Sequence, residues 1–453
     1  MLLVTFDSTS SNFSVVGRPD RMIFYYLLLF FTRFHSDPRL GETLFNAAFV
    51  QVTPVKVVGL LTVSAALVAP RPADAAPRLK NLLGVLLFAF AALQILNVLV
   101  FRPPNPSNSI SSLVSIGLLL LATRALICTE ERMREVVRAM ILVSAFASLW
   151  LYKQHFLQHL LRADGLEQDT NYEALTLVTC VPLAVWMVRY ETGPWWRCIG
   201  AVCAGLMTGG VLLTGSRAGL IAAVVMGLAA VVVSRRKILT LSLLVIAIAV
   251  GVVMAPVGLK SRFQSIKFEG AATNGDESSS RIHYELMKAG LAMIESYPLT
   301  GVGLERFKDV APAYNRNLLR VAGRRYIAHD TYIQIAAETG LPVLFLFLAL
   351  LTTALLNCRA VRRSAELPLT RMATAMQLGM IGYCVAAASV TAEYVTAFWM
   401  LAFFSQNLRE IAAFAPLRVQ PRAQRANEAT IPIRALPRGP ALRRTAAAIG
   451  QGL

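Results

Sequence analysis

The chain is dominated by a succession of apolar runs, each of about the length that crosses a hydrocarbon layer and each closed by polar or basic residues. A bilayer core requires roughly 17 to 25 apolar residues per helix. Lipid also obliges each crossing segment to satisfy its own backbone hydrogen bonds, which makes such runs helical. The runs fall at residues 21–34, 54–69, 81–100, 110–128, 135–152, 172–189, 196–213, 218–233, 238–256, 332–357, 372–390 and 395–408. The first is short for a crossing. The expectation is an all-α integral membrane protein of about 12 transmembrane helices. A large soluble fold is excluded by the same pattern: charged residues make up 15% of the chain, against about 25% in soluble domains.

Basic residues orient the bundle. Arg71, Arg78 and Lys80 fall on one side with Arg132, Arg134 and Arg138. Alternation adds Arg235, Arg236 and Lys237, then Arg359, Arg362, Arg363 and Arg371, and the arginine-rich C-terminal tail. Short cytoplasmic loops collect Lys and Arg, so this reading places both termini in the cytoplasm of a bacterial inner membrane. Four regions follow: helices 1–9 over residues 1–257, a periplasmic loop over 258–331, helices 10–12 over 332–410, and a disordered basic tail over 411–453. The first 17 residues lack the basic, apolar and small-residue succession of a signal peptide. The net charge of +18 is accounted for by topology, and no aromatic-basic module points to nucleic acid. The tail is placed to touch anionic membrane lipid, although a solvated tail explains its composition equally. The six cysteines lie within or at the cytoplasmic ends of runs, which argues against a disulfide framework. Cys-x-x-Cys and Asp-x-Asp are both absent, so neither a metal site nor a cofactor is expected.

Chemistry is expected on the opposite face. The long loop there is rich in Lys and Arg, including Arg281, Lys288, Arg306 and Arg316. It is either a solvated loop that escapes the positive-inside rule by its length or a surface for an anionic substrate, since guanidinium matches phosphate with paired hydrogen bonds. Ser278, Ser279 and Ser280 supply a helix cap. Ile282, Leu286, Ala289 and Met293 then recur at helical spacing, which predicts an amphipathic helix lying on the membrane or on the bundle. Arg217 follows Thr214, Gly215 and Ser216 at the outer end of one run and opens the next. It either snorkels to the interface or, with free helix N–H groups beside it, attracts an anion. His329 lies just before the tenth run, with an ordinary pKa suited to proton transfer. An interfacial hydrogen-bonding role is its alternative. His283, His155 and His159 are also external, without a recognisable constellation around them. Asp169 and Asn171 open the sixth run, as helix caps or as membrane-edge functional groups. Glu393, beside Tyr394 in a short external turn, is a weaker acidic candidate.

These residues carry a resemblance. Thr214-Gly215-Ser216-Arg217-Ala218-Gly219 is similar to the Ser-Arg-Gly/Ala-Gly turn of the O-antigen ligase superfamily, which includes O-antigen polymerases and bacterial protein O-glycosylation ligases. Arg281, then Pro298-Leu299-Thr300-Gly301-Val302-Gly303 and Phe307, resembles its Arg…Pro-x-x-Gly-x-Gly…Phe loop. His329-Asp330-Thr331-Tyr332 with Glu338-Thr339-Gly340 resembles its His-Asn-x-Tyr…Glu-x-Gly segment, with Asp330 in place of the commoner Asn. Asp169-Thr170-Asn171 is similar to an Asp-x-Asn that opens an earlier span. The motifs run from about residue 169 to 350.

The resemblance implies a GT-C-like bundle and metal-independent, inverting transfer of a glycan from undecaprenyl pyrophosphate. Arg217 and Arg281 would hold the pyrophosphate and His329 would serve as general base. Asp169, Asn171, Ser216 and Tyr332 would shape the substrate site. The acceptor is a lipid A core, a protein hydroxyl or another glycan. The last corresponds to a polymerase, which the motifs do not separate from a ligase. A polysaccharide transporter is the reading from a different class. It would favour internal repeats and midplane charges, which this sequence does not display.

Overall fold

A computed structural model describes residues 22–34, 44–47, 50–72, 75–103, 106–254, 275–318, 326–364 and 366–419. The expected N-terminal segment, the basic tail beyond residue 419, the side chains of Ser278, Ser279 and Ser280, and part of the basic loop lie outside the described residues.

The chain is built of helices: α1 (Met22–Arg33), α2 (Pro54–Val68), α3 (Leu82–Phe101), α4 (Ser107–Leu126), α5 (Glu130–Tyr152), α6 (Thr170–Tyr190), α7 (Pro194–Thr214), α8 (Arg217–Val233) and α9 (Lys237–Met254). The long loop contributes α10 (Gly275–Ser296) and α11 (Phe307–Tyr314). Then follow α12 (Thr331–Thr339), α13 (Leu341–Ser364), α14 (Leu367–Ala386) and α15 (Thr396–Val419). A small antiparallel hairpin, β1 (Phe45–Ala47) with β2 (Val50–Val52), is the one sheet among the described residues. Seven described helices are long and apolar enough to cross a membrane, and α1, α2, α8 and α9 are shorter apolar helices. The protein is an all-α, multi-pass membrane protein; length and composition do not by themselves fix the count at twelve.

Local chemistry sets the helix ends. Asp169 caps α6, its carboxylate accepting the N–H groups of Asn171 and Tyr172 at 2.7 and 3.2 Å. Ser216 caps α8 by accepting the Gly219 N–H at 3.2 Å. Each satisfies a helix-terminal donor that has no partner inside the helix. Between α7 and α8 the chain reverses at Gly215, whose φ of 60° lies in the left-handed region that glycine enters without a Cβ penalty.

The centre of the bundle is α6, which packs against α5, α7, α8 and α14. Its spanning window is the most buried of the seven. Three arginines inside the bundle are paired with carboxylates. Arg33 of α1 binds Glu167 at 2.9 Å and also Glu173 of α6. Arg138 grips Glu191 through two nitrogens, and Arg124 meets Glu410 at 2.6 Å. Pairing is what makes a buried charge tolerable, since an isolated ion in this setting carries a large desolvation cost.

The tenth apolar run departs from the expected single helix. It breaks at Gly340, φ 88°, into α12 and α13. The break accommodates a backbone crossing. Val302 and Gly303 donate N–H groups to the carbonyls of Ala337 and Glu338, both at 2.9 Å, and Leu341 donates to Pro298 at 2.7 Å. A side chain at Gly340 or Gly301 would collide with the opposing backbone. The Pro298–Gly303 stretch and the Glu338–Gly340 stretch are therefore two halves of one structural joint. Glu338 completes it, its two carboxylate oxygens accepting the N–H groups of Glu305 and Phe307 at 2.9 and 2.8 Å. Asn97 of α3 reaches the same joint, donating to the Thr300 carbonyl and accepting from the Leu304 N–H, both at 2.8 Å.

The amphipathic helix anticipated in the long loop is α10, which begins at Gly275, so Ser278, Ser279 and Ser280 lie within it instead of capping it. Leu286, Ala289 and Met293 form a small core with Val302, Phe307, Ala311 and Ala337, with Ile282 packed against it. Its apolar face thus rests on α11 and α12.

Candidate functional site

The starts of α6 and α8 lie side by side. The Ser216 hydroxyl donates to the Asn171 side-chain oxygen at 2.7 Å, tying the two helix ends together. The preceding loop is fastened to the same turn, with the Ala163 N–H and the Arg162 guanidinium both donating at 3.2 Å to the carbonyls of Leu213 and Thr214. Asp169 and Arg217 are brought to one end of the bundle by these contacts.

Over this end sit two histidines. His283 of α10 and His329, just ahead of α12, have ring centroids 5.0 Å apart, and Tyr326 lies 6.1 Å from His329. Burial, the neighbouring His329 and the charge of Arg217 push His283 down to about 4, with Asp169 acting in the opposite sense. Burial also holds His329 below the ordinary imidazole value, again opposed by Asp169. The site therefore gathers Asp169, Arg217, His283 and His329, and both imidazoles are neutral near pH 7, available to accept a proton.

His329 is held in an unusual conformation. Its φ is 53°, in the left-handed region that non-glycine residues enter sparingly. The residues after it anchor it. Asp330 caps α12 through the Ile333 N–H at 2.9 Å. The Thr331 hydroxyl donates to the Val390 carbonyl at 2.6 Å and accepts from the Ala392 N–H at 2.9 Å. Tyr332 donates to the Cys384 carbonyl at 2.8 Å. Surroundings that over-determine a strained backbone of this kind are characteristic of functional positions.

Not every residue singled out from sequence joins the cluster. The Tyr332 hydroxyl is committed to α14, which gives it an anchoring contact. Arg281 lies on the exposed part of α10, one turn before Glu285 and among the charges that hold that carboxyl low, chiefly through the Asn315 amide at 2.7 Å. Two positions along a helix are separated by about 200°, so Arg281 and His283 leave α10 in nearly opposite directions. His155 bonds the Leu160 carbonyl at 2.9 Å in its own loop. Glu393 is buried and pushed up to about 7 by that burial. Sequence reasoning ranked His283 below His329, and the structure sets the two rings side by side. The helical position of His283 opposite the Arg281–Glu285 side was the available signal.

Residues 202–348 match the family model described as O-antigen ligase. The matched stretch runs from within α7 into α13 and includes Arg217, His283, His329 and the Gly301–Gly340 joint. It supports the O-antigen ligase superfamily and, more broadly, an O-antigen ligase/polymerase relationship. No curated protein matches the chain. Asp169 and Asn171 fall outside the matched stretch and reach the site through the packing of α6 on α8.

Proposed function

Taking that family match as the premise, we propose that the protein is an O-antigen ligase-type glycosyltransferase. It moves a glycan from undecaprenyl pyrophosphate to an acceptor hydroxyl at the periplasmic face of the bacterial inner membrane. The observation that carries this reading is the convergence of Arg217, His283, His329 and Asp169 at one end of the bundle.

In the proposed reaction the acceptor oxygen attacks the anomeric carbon and the bond from that carbon to the pyrophosphate oxygen breaks, inverting the centre. The acceptor proton passes to His329, which burial keeps neutral and therefore basic-competent at pH 7. Arg217, at the start of α8, meets the negative charge that develops on the departing pyrophosphate, and the positive end of the helix dipole adds to that attraction. Asp169 stabilises the imidazolium formed in transfer. His283 packs on His329 and limits its ring orientation. Ser216 and Asn171 fix the floor between α6 and α8. Arg281 contributes from the exposed side of α10, where it suits the distal phosphate or the glycan entrance.

Deleting the gene and analysing lipids and glycans tests this directly. Undecaprenyl-pyrophosphate-linked glycan should accumulate while one class of acceptor becomes bare. Normal donor levels with fully modified acceptors would overturn the proposal.

A further inference from the structure

The opposite end of the bundle carries a second feature that the proposed reaction leaves unused. A cavity of about 2110 Å³ lies among α6, α7, α8, α9, α13 and α14. Its walls are mainly apolar, with Val185, Ala223, Met226, Leu244 and Leu378 among them. Along α8 it extends from Leu220 to Val233, about 20 Å at 1.5 Å per residue, which exceeds half of a hydrocarbon core of about 30 Å.

Arginines gather at one end only. Arg235 and Arg236 come from the α8–α9 turn, Arg359, Arg362 and Arg363 from the last turns of α13, and Arg371 from α14. Two of them are half-buried and held in place. Arg362 donates to the Gln377 side-chain oxygen at 2.6 Å, and Arg371 stacks on the Tyr190 ring at 4.4 Å. None of the six forms an ion pair with a described carboxylate; Glu191, near the end of α6, is bound by Arg138 instead. A positive-inside signal needs only charge in the loops. It does not need guanidinium groups fixed at the mouth of an apolar cleft.

We propose that this cleft binds an anionic diacyl phospholipid, its phosphate among Arg362, Arg371 and their neighbours and an acyl chain between α8 and α14. Guanidinium groups with no carboxylate partner among the described residues match a phosphate headgroup, and basic pockets between transmembrane helices are suited to such lipids. A polyprenyl tail entering from the Arg217 end would fill the apolar part but leave the arginines without an anion. The cleft is therefore assigned to a lipid whose head lies at the arginine end. This assignment stands apart from the glycosyl-transfer proposal.

Native mass spectrometry of the full chain, with cardiolipin, phosphatidylglycerol, phosphatidylcholine and undecaprenyl phosphate as separate probes, tests it. Cardiolipin and phosphatidylglycerol should be retained over phosphatidylcholine. Each neutralised arginine should weaken retention about 5-fold, so Arg362→Gln with Arg371→Gln should cost about 25-fold. The corresponding Lys pair, which preserves charge and topology, should lose less. Should the Gln pair fail to fold, Ala223→Phe, which narrows the cleft, should lower cardiolipin retention with every arginine intact. Equal retention of phosphatidylcholine, displacement of cardiolipin by glycerol phosphate alone, or cardiolipin retention unaffected by the Gln pair or, in its stead, by Ala223→Phe would overturn the proposal. So would undecaprenyl phosphate being the lipid that the cleft prefers.

Discussion

Asp169 performs two tasks that one substitution separates. Its carboxylate caps α6 through two N–H groups, and its charge raises the proton affinity of both His283 and His329. The substitution Asp169→Asn keeps the accepting oxygen and loses the charge. As an N-cap, Asn is about as good as Asp, whereas Ala costs about 1 kcal/mol. Asp169→Asn should therefore leave the melting temperature nearly unchanged, and Asp169→Ala should lower it. The electrostatic effect is worked from the same contacts. Burial is the larger influence on His329, since its pKa ends below the ordinary value despite Asp169. Losing the charge should thus lower the His329 pKa further below the ordinary imidazole value. If His329 is the base, the acid limb of kcat/KM should move to lower pH. The assay is a pH–rate profile on purified protein with lipid-linked donor, paired with thermal melts. An unmoved acid limb in Asp169→Asn, with instability confined to Asp169→Ala, would reduce Asp169 to a helix cap.

Three further outcomes are expected. His283 binds its proton near pH 4 in the folded protein, below its ordinary value, so the unfolded chain holds more protons between about pH 6.5 and 4. Stability should accordingly fall as pH drops through that window, and His283→Gln should flatten the fall in melting temperature; an equally steep variant would count against the buried pair. Arg217→Lys keeps charge but loses paired hydrogen bonding, so the single-turnover rate should drop about 10²-fold, and a wild-type rate would remove Arg217 from the leaving-group contact. Glu338→Gln places an amide where two N–H groups now meet a carboxylate, at a cost of about 1–3 kcal/mol, readable as a lower melting temperature, and unchanged melting would show that the joint holds without it.

Much of the architecture was legible because bilayer helices announce themselves by length and apolarity. The limits of α6, α7 and α8 lie within a few residues of their apolar runs. The break at Gly340 was not legible. Hydropathy registers composition, and the run from 332 to 357 is apolar throughout, whereas the break arises from a backbone crossing with Gly301 across a loop. Ser216 and Asn171 stood out in the sequence as separate features, but the hydrogen bond between them depends on α6 packing beside α8. His283 carried no motif, and its meaning comes from His329, which is distant in sequence. Arg281 shows the reverse. A motif drew attention to it, while the periodicity of Ile282, Leu286, Ala289 and Met293 already implied that it lies off the packed face of α10.

The order of partners along the chain has a consequence for biogenesis. The apolar face of α10 is covered by Val302, Phe307, Ala311 and Ala337, all of which are synthesised after it. During translation α10 emerges with that face uncovered and stays so until α11 and α12 have followed. The Gly301–Gly340 joint closes later still, because it requires the first residue of α13. Transiently exposed apolar surface invites misassembly, so the nascent protein is most vulnerable while the ribosome works between α10 and α13. A stall in that interval would leave the preceding helices inserted and the Gly301–Gly340 joint unbuilt.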